Sequence, residues 1–201
     1  MEKIINVFGS SIAWGACDNE MGGWVNRLRI YLFNEDEKYS EIYNLGVSGD
    51  NSEELLKRFS VENEARQPDI IMIAIGMNDS QYVNSKDNPR VSLEKFESNL
   101  LELINQAKKL TKQIIFIGLT DIDESKTMPI PWNTTKYYDK EKVNLYNAKI
   151  KEICEKNNLK FIEMQGLLDN DDLEDGLHPT AKGHEKMFLR VKDFLIENKI
   201  I

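Results

Sequence analysis

Short apolar runs alternate with longer amphipathic ones along the whole chain. Five runs have the length and composition of buried strands: KIINVF from Lys3, EIYNL from Glu41, DIIMIAI from Asp69, QIIFIGL from Gln113 and LKFIEM from Leu159. Between them apolar positions recur at helical spacing. GWVNRLRIYLF sets Trp24, Leu28 and Tyr31 on one stripe, and NSEELLKRF opens with an acidic first turn of the Ser-x-x-Glu kind. SLEKFESNLLELINQAKKL is the longest amphipathic run, and KEKVNLYNAKIKEICEKN and TAKGHEKMFLRVKDFLIENK supply two more. Strands separated by helix-length segments predict right-handed crossovers, hence an α/β fold with a five-stranded parallel sheet and helices on both faces. Five such units fill residues 1–201, which predicts a single domain without a linker. The segment TDIDESKTMPIPWNTTKYYD, Thr120 to Asp139, fits no unit. It follows the fourth strand, and in open parallel sheets ligands sit beyond the carboxyl ends of the strands, so it is expected to be functional, with Trp132, Tyr137 and Tyr138 as a wall of the substrate site.

Composition narrows the function classes. With 41% hydrophobic and 30% charged residues, the 201-residue chain can bury a sizeable core. A net charge of -8 with dispersed lysines and arginines argues against a nucleic-acid partner, and no polybasic patch is available for an anionic membrane. MEKII opens no signal-peptide pattern, and no run approaches the ~20 apolar residues of a membrane span. Cys17 and Cys154 form no metal or redox pattern, so cytoplasmic residence with two reduced thiols is expected. A homo-oligomer is left open.

The predicted strand ends carry the chemistry. They are FGSS ending at Ser11, NLGVSGD from Asn44, IGMND from Ile75 and TDIDES from Thr120; a fifth polar cluster, DDLEDGLHP, follows the last strand. Together they bring hydroxyls, amide donors, a carboxamide, a carboxylate and an imidazole to one sheet edge. Acyl transfer requires that set: a hydroxyl nucleophile, a base, a carboxylate that orients the base, and donors for the oxyanion. Of the two histidines, His178 precedes a proline expected to begin the last helix, whereas His184 falls inside that helix and reads as exposed. His178 is therefore the candidate base. Asp175, three residues earlier, is close enough to orient it, and Asp171, Asp172 and Glu174 compete on spacing alone. Ser48 does not sit in a Gly-x-Ser-x-Gly elbow, because Asp50 takes the last position.

These blocks resemble those of the SGNH hydrolases, also called GDSL-type esterases and lipases. Gly9-Ser10-Ser11 with Gly15 is similar to the Gly-Asp-Ser block, Ser48-Gly49 to the second, Gly76-Met77-Asn78-Asp79 to Gly-x-Asn-Asp, and Asp175, His178 and Pro179 to Asp-x-x-His-Pro. The resemblance implies a flavodoxin-like three-layer sandwich. It also implies Ser11 as nucleophile, His178 as base, Asp175 as its partner, and an oxyanion hole of the Ser11 and Gly49 N–H groups with the Asn78 amide. One departure is plain: Ser10 stands where the family usually has aspartate.

The implied activity is hydrolysis of a carboxylic ester, short-chain or acetyl and carried by a carbohydrate among other alcohols, through an acyl-serine. The substrate is a small-molecule ester; neither metal nor cofactor is required. Lysophospholipase or thioesterase activity, or a non-catalytic binding protein on the same fold, is the alternative. A metal site reads poorly, since His178 and His184 make a weak pair without a third strong ligand. Smaller features take structural readings: Asp79 braces its loop, Trp24 packs the first helix, Cys154 lies in the core, Cys17 lies near the site without an activating neighbour, and NEDEK and NDDLED are solvated apart from Asp175.

Overall fold

A computed structural model of the chain describes residues 3–35 and 40–201. Asp36, Glu37 and Lys38 of the NEDEK run lie outside them, as do Met1 and Glu2 of MEKII. Five parallel strands form the sheet: β1 (Ile4–Gly9), β2 (Glu41–Gly46), β3 (Ile70–Ala74), β5 (Gln113–Ile117) and β7 (Lys160–Ile162). Their spatial order is β2-β1-β3-β5-β7, which is the flavodoxin-like order of a doubly wound sheet. The strands read as continuous apolar runs because both faces are covered. Phe8, Ile71, Ile73, Ile114 and Phe116 face one side, and Ile5, Val7, Ile70, Met72, Ile115 and Ile117 the other, as the two-residue period of a strand dictates.

Three helices cover the first face: α3 (Ser52–Glu64), α5 (Leu93–Ala107) and α7 (Lys140–Asn157). α2 (Trp24–Glu35) and α8 (Ala181–Glu197) cover the second. On α2 the expected stripe is present, with Trp24 and Leu28 fully buried and Tyr31 packed beside them. The cap of α3 is Asn51, in a reciprocal box with Glu54, one residue ahead of the serine that the pattern suggested. Within β1, buried Asn6 donates to Asn63 of α3 at 2.8 Å, and Asn63 donates to the Phe59 carbonyl at 2.8 Å. This satisfies both amide nitrogens in an apolar layer and leaves Asn6 Oδ1 without a partner among the described residues. Cys154 is buried in the core as expected.

Three short helices follow the strand ends: α1 (Ser11–Trp14), α4 (Met77–Ser80) and α6 (Glu124–Thr127). The sequence pattern did not disclose the remaining element, an antiparallel ribbon of β4 (Tyr82–Val83) and β6 (Lys136–Tyr137) that lies outside the main sheet. Pro179 does not begin α8. It bridges to Leu173, and Thr180 caps the helix by accepting the Gly183 N–H, a role that proline has no side-chain oxygen to fill. NDDLED is not uniformly solvated either: Leu173 is buried, and so is Asp172, which pairs with Lys186 of α8.

Close packing at the amino-terminal units sets where Ser11 sits. A Cβ on Gly46 would come within 2.4 Å of the Trp14 backbone nitrogen, so α1 can lie against β2 only because the residue is glycine. Gly46→Ala is expected to destabilise the fold by about 1–3 kcal/mol, the usual range for overpacking, with α1 displaced. An unchanged urea midpoint in the variant would show that the contact relaxes freely.

Candidate active site

Four of the five clusters expected to carry chemistry open onto one cavity of about 370 Å³. TDIDES does not line it, and its Thr120 borders a separate void, although the segment it begins reaches the cavity further on through Ile130, Trp132, Lys136 and Tyr138. Ser11, the first residue of α1, lines it together with Gly49, Asn78, Trp132, Tyr138 and His178. His178 Nε2 lies 2.9 Å from Ser11 Oγ, and His178 Nδ1 lies 2.7 Å from Asp175 Oδ2. The nitrogen facing the carboxylate carries the proton, which leaves Nε2 to accept from the hydroxyl. Among the competing acids, then, it is Asp175 that meets the imidazole. Its other oxygen accepts the N–H groups of Leu177 (3.0 Å) and His178 (2.8 Å), so one carboxylate shapes the turn and orients the ring. Burial opposes ionisation of Asp175, but the bonds from His178 and Leu177 outweigh it and hold the carboxyl below its usual value.

The second and third loops bring the donors. Asp50 N–H closes a turn on the Val47 carbonyl at 3.1 Å, and Gly49 within that turn has φ +88°, a conformation that favours glycine. Asn78 is buried and fixed at both ends of its amide. Its nitrogen donates to the Asp50 carbonyl at 2.9 Å, and its oxygen accepts from the Tyr138 hydroxyl at 2.6 Å. One of its two N–H donors remains for a ligand. Ser48 also lines the cavity, but the imidazole is engaged by Ser11.

Two expected wall residues are at the cavity. Trp132 is half exposed, with its ring centroid 5.6 Å from that of His178, and Tyr138 is buried beneath. Tyr137 is not a lining residue: its ring stacks on Tyr82 at 5.1 Å and 4° and so clamps the ribbon. In its register Lys136 reaches the cavity, together with Gln81 and Arg90, none of which the sequence singled out.

His184 is a correction. It is fully buried; its Nδ1 accepts the Trp24 N–H at 3.3 Å, and Nε2 faces the Ala16 carbonyl at 2.9 Å. Burial lowers its pKa. Helical periodicity carried the signal, since His184 shares the buried stripe of α8 with Met187, Val191 and Leu195. A third metal-ligating group is also present: the Cys17 thiol, exposed, lies in one cluster with Asp175 and His178, their ligand atoms all within 4.8 Å of one another. Both ring nitrogens of His178 are nevertheless committed to Asp175 and Ser11. The Cys17 thiol pKa is raised, by burial and by Asp175 and Glu174, so nothing activates it.

Asp79 braces the loops. Fully buried, it accepts the Ser52 N–H at 3.0 and 3.1 Å on its two oxygens, and the Ser52 hydroxyl as well. Burial raises its pKa to about 6, against the hydrogen bonds from Ser52. A carboxyl whose pKa is higher folded than unfolded favours the fold at low pH, and that contribution is lost as pH climbs. Relative to Asp79→Asn, wild-type protein should therefore lose thermal stability between about pH 4 and pH 6; parallel Tm curves would contradict the assignment. Tyr138→Phe should lower kcat by about tenfold with little change in Tm, because it frees the Asn78 amide to rotate. An unaltered kcat would remove Tyr138 from the positioning of that amide.

Comparison with known proteins bears on the fold and the family. The chain is 27% identical over 164 residues to an acetylxylan esterase of Geobacillus stearothermophilus, covering 74% of this chain and 70% of that one. The crystal structure of Axe2, an acetylxylan esterase from the same organism, superposes with a TM-score of 0.75 at 24% identity over 97% of this chain and 93% of that chain. A lipase/acylhydrolase from Enterococcus faecalis superposes at 0.80, with 22% identity over 96% and 95%. Among the described residues no helix is long and apolar enough to cross a membrane. The profile of the GDSL-like Lipase/Acylhydrolase family matches residues 7–186, nearly the whole fold from β1 into α8, and the chain belongs to that family.

Proposed function

We propose that Ser11, His178 and Asp175 are the catalytic groups of this serine-type carboxylic ester hydrolase, and that its substrate is a short-chain or acetyl ester of a small carbohydrate-like alcohol. The observation that carries the reading is the unbroken hydrogen-bonded series from Ser11 Oγ through the imidazole to Asp175 Oδ2. As Ser11 Oγ attacks the ester carbonyl, its proton passes to His178 Nε2. Asp175 stabilises the imidazolium without taking its proton. The carbonyl oxygen gains charge between the N–H groups of Ser11 and Gly49 and the free N–H of Asn78. His178 then protonates the leaving alcohol, and the acyl-serine remains. Water attacks by the same route and releases the acid.

The carbohydrate part rests on two supports. Trp132 offers a half-exposed aromatic face beside the imidazole, on the side where the alcohol departs. The relative with 27% identity is an acetylxylan esterase. We further infer a cytoplasmic location, since both cysteines are free and one of them is exposed, as suits a reducing compartment.

The test is release of p-nitrophenol from p-nitrophenyl acetate, alongside intact-mass detection of a fluorophosphonate adduct. Wild type should turn over the ester and take one adduct, mapped to Ser11. Ser11→Ala should lose both, and Asp175→Asn should reduce kcat by about 10³–10⁴-fold through the wrong imidazole tautomer. Folded wild-type protein with neither turnover nor adduct would sink the assignment.

A further inference from the structure

The β4/β6 ribbon contributes nothing to the main sheet, yet it forms one wall of the cavity. β4 pairs with β6 in the register Tyr82–Tyr137 and Val83–Lys136, and a bridge joins Tyr82 to Pro89. The Arg90 N–H donates to the Gln81 carbonyl at 2.8 Å. These pairings gather Gln81, Arg90 and Lys136 at the cavity from segments that are far apart in sequence.

The wall opposes the charge of the rest of the protein. The chain has 34 acidic and 26 basic residues, but the cavity lining includes Arg90 and Lys136 and no carboxylate. Arg90 uses Nη2 on the Gly49 carbonyl at 3.1 Å and on Glu54 at 3.3 Å. Its Nε and Nη1 have no hydrogen-bond partner among the described residues, which leaves three of five N–H donors unused. Its side chain is 18% exposed, so these donors are held in a partly desolvated place. Lys136 has no ion pair among the described residues. Gln81 is 2% exposed, and its Oε1 has no partner.

We propose, on the basis of the ester-hydrolase reading, that the alcohol part of the substrate carries an anionic group, a carboxylate or a phosphate, received by Arg90 and Lys136. The free Nε and Nη1 N–H groups of Arg90 each offer a charge-assisted donor to an oxygen of either anion, while Nη2 stays engaged with Gly49 and Glu54, and the ammonium adds a second charge. The anion belongs on the alcohol side because His178 protonates the leaving oxygen. Trp132, beside that imidazole, and Lys136 of β6 line the same cavity, so a departing alcohol extends toward the ribbon. A neutral alcohol of the same shape would cover the two cations without replacing their water, so the wall selects against it as well as for the anion.

The test compares three mono-acetylated probes: methyl glucuronoside, its neutral counterpart methyl glucoside, and glucose 6-phosphate. The carboxylate or the phosphate probe should exceed the neutral one in kcat/KM by about tenfold at low salt, mostly through KM, with the preference shrinking as salt rises. Which anion gains more identifies its source. Lys136→Gln should cut the anionic-to-neutral ratio by about threefold and Lys136→Glu should reverse it, and Arg90→Gln should act in the same direction. Lys136 is only partly buried, so its variants serve even if Arg90→Gln fails to fold. Equal kcat/KM for all three probes, or an undiminished ratio in Lys136→Glu, overturns the proposal while turnover leaves the hydrolase reading standing. Hydrolysis of none of them, nor of p-nitrophenyl acetate, overturns both.

Discussion

The Asp79 carboxylate is fully buried, and it is satisfied by a residue from another loop. Both of its oxygens accept the Ser52 N–H, the Ser52 hydroxyl adds a third bond, and Asn99 of α5 donates to that hydroxyl at 2.8 Å. The loop after β2 and the loop after β3 are thereby joined below the cavity. Gly49 and Asn78 sit just beyond the two ends of this link, and the Asn78 amide makes a second link to the Asp50 carbonyl. Donors for a developing oxyanion are useful only when their spacing is set before the reaction, since reorientation would consume the stabilisation they provide. A buried carboxylate suits this task because losing any partner would leave it uncompensated, so the alternative arrangements are costly.

A parallel constraint fixes the two groups that exchange the proton. Asp175 holds the His178 ring through one oxygen and the local backbone through the other, which removes both the rotation of the ring and the drift of its turn. His184, one turn into α8, reaches the Ala16 carbonyl and the Trp24 N–H, and so ties the segment after Ser11 to the helix that follows His178. The histidine without a catalytic assignment thus supports the distance between the two residues that have one. Gly46 acts on the same distance from the other side, because its bare Cα lets α1 settle against β2.

What the sequence disclosed follows from these physics. The five strands were legible because a parallel sheet covered on both faces demands unbroken apolar runs such as Ile70–Ala74. The strand ends were legible because Gly9, Gly49 and Gly76 mark close approaches and turns beside polar side chains. The ribbon was not: two-residue strands have no period, and the pairing of Val83 with Lys136 is a tertiary choice. Tyr137 was misplaced for the same reason, since a register one residue off exchanges cavity and flank, and Tyr137 stacks while Lys136 and Tyr138 face inward. His184 was legible yet misread. It falls on the buried stripe of α8 with Met187, Val191 and Leu195, and the partners that let an imidazole be buried there, the Trp24 N–H and the Ala16 carbonyl, are tertiary.

The serine that replaces the usual aspartate before the nucleophile can be judged on the same terms. Ser10 is buried and makes no side-chain capping bond to α1. It does not line the substrate cavity; it borders a separate void of about 20 Å³, among Trp24, Met77, Ile117, Leu119 and Met187. Among the described residues, that void is lined by Trp24 and Thr120, whose buried indole N–H and hydroxyl have no partner, and by no basic group. A carboxylate placed there would find neutral donors on Trp24 and Thr120 but no positive charge to offset its desolvation. A short hydroxyl side chain avoids that cost. The departure therefore acts on the packing behind Ser11. The proton path on the cavity side, from Ser11 to His178 to Asp175, is complete without it.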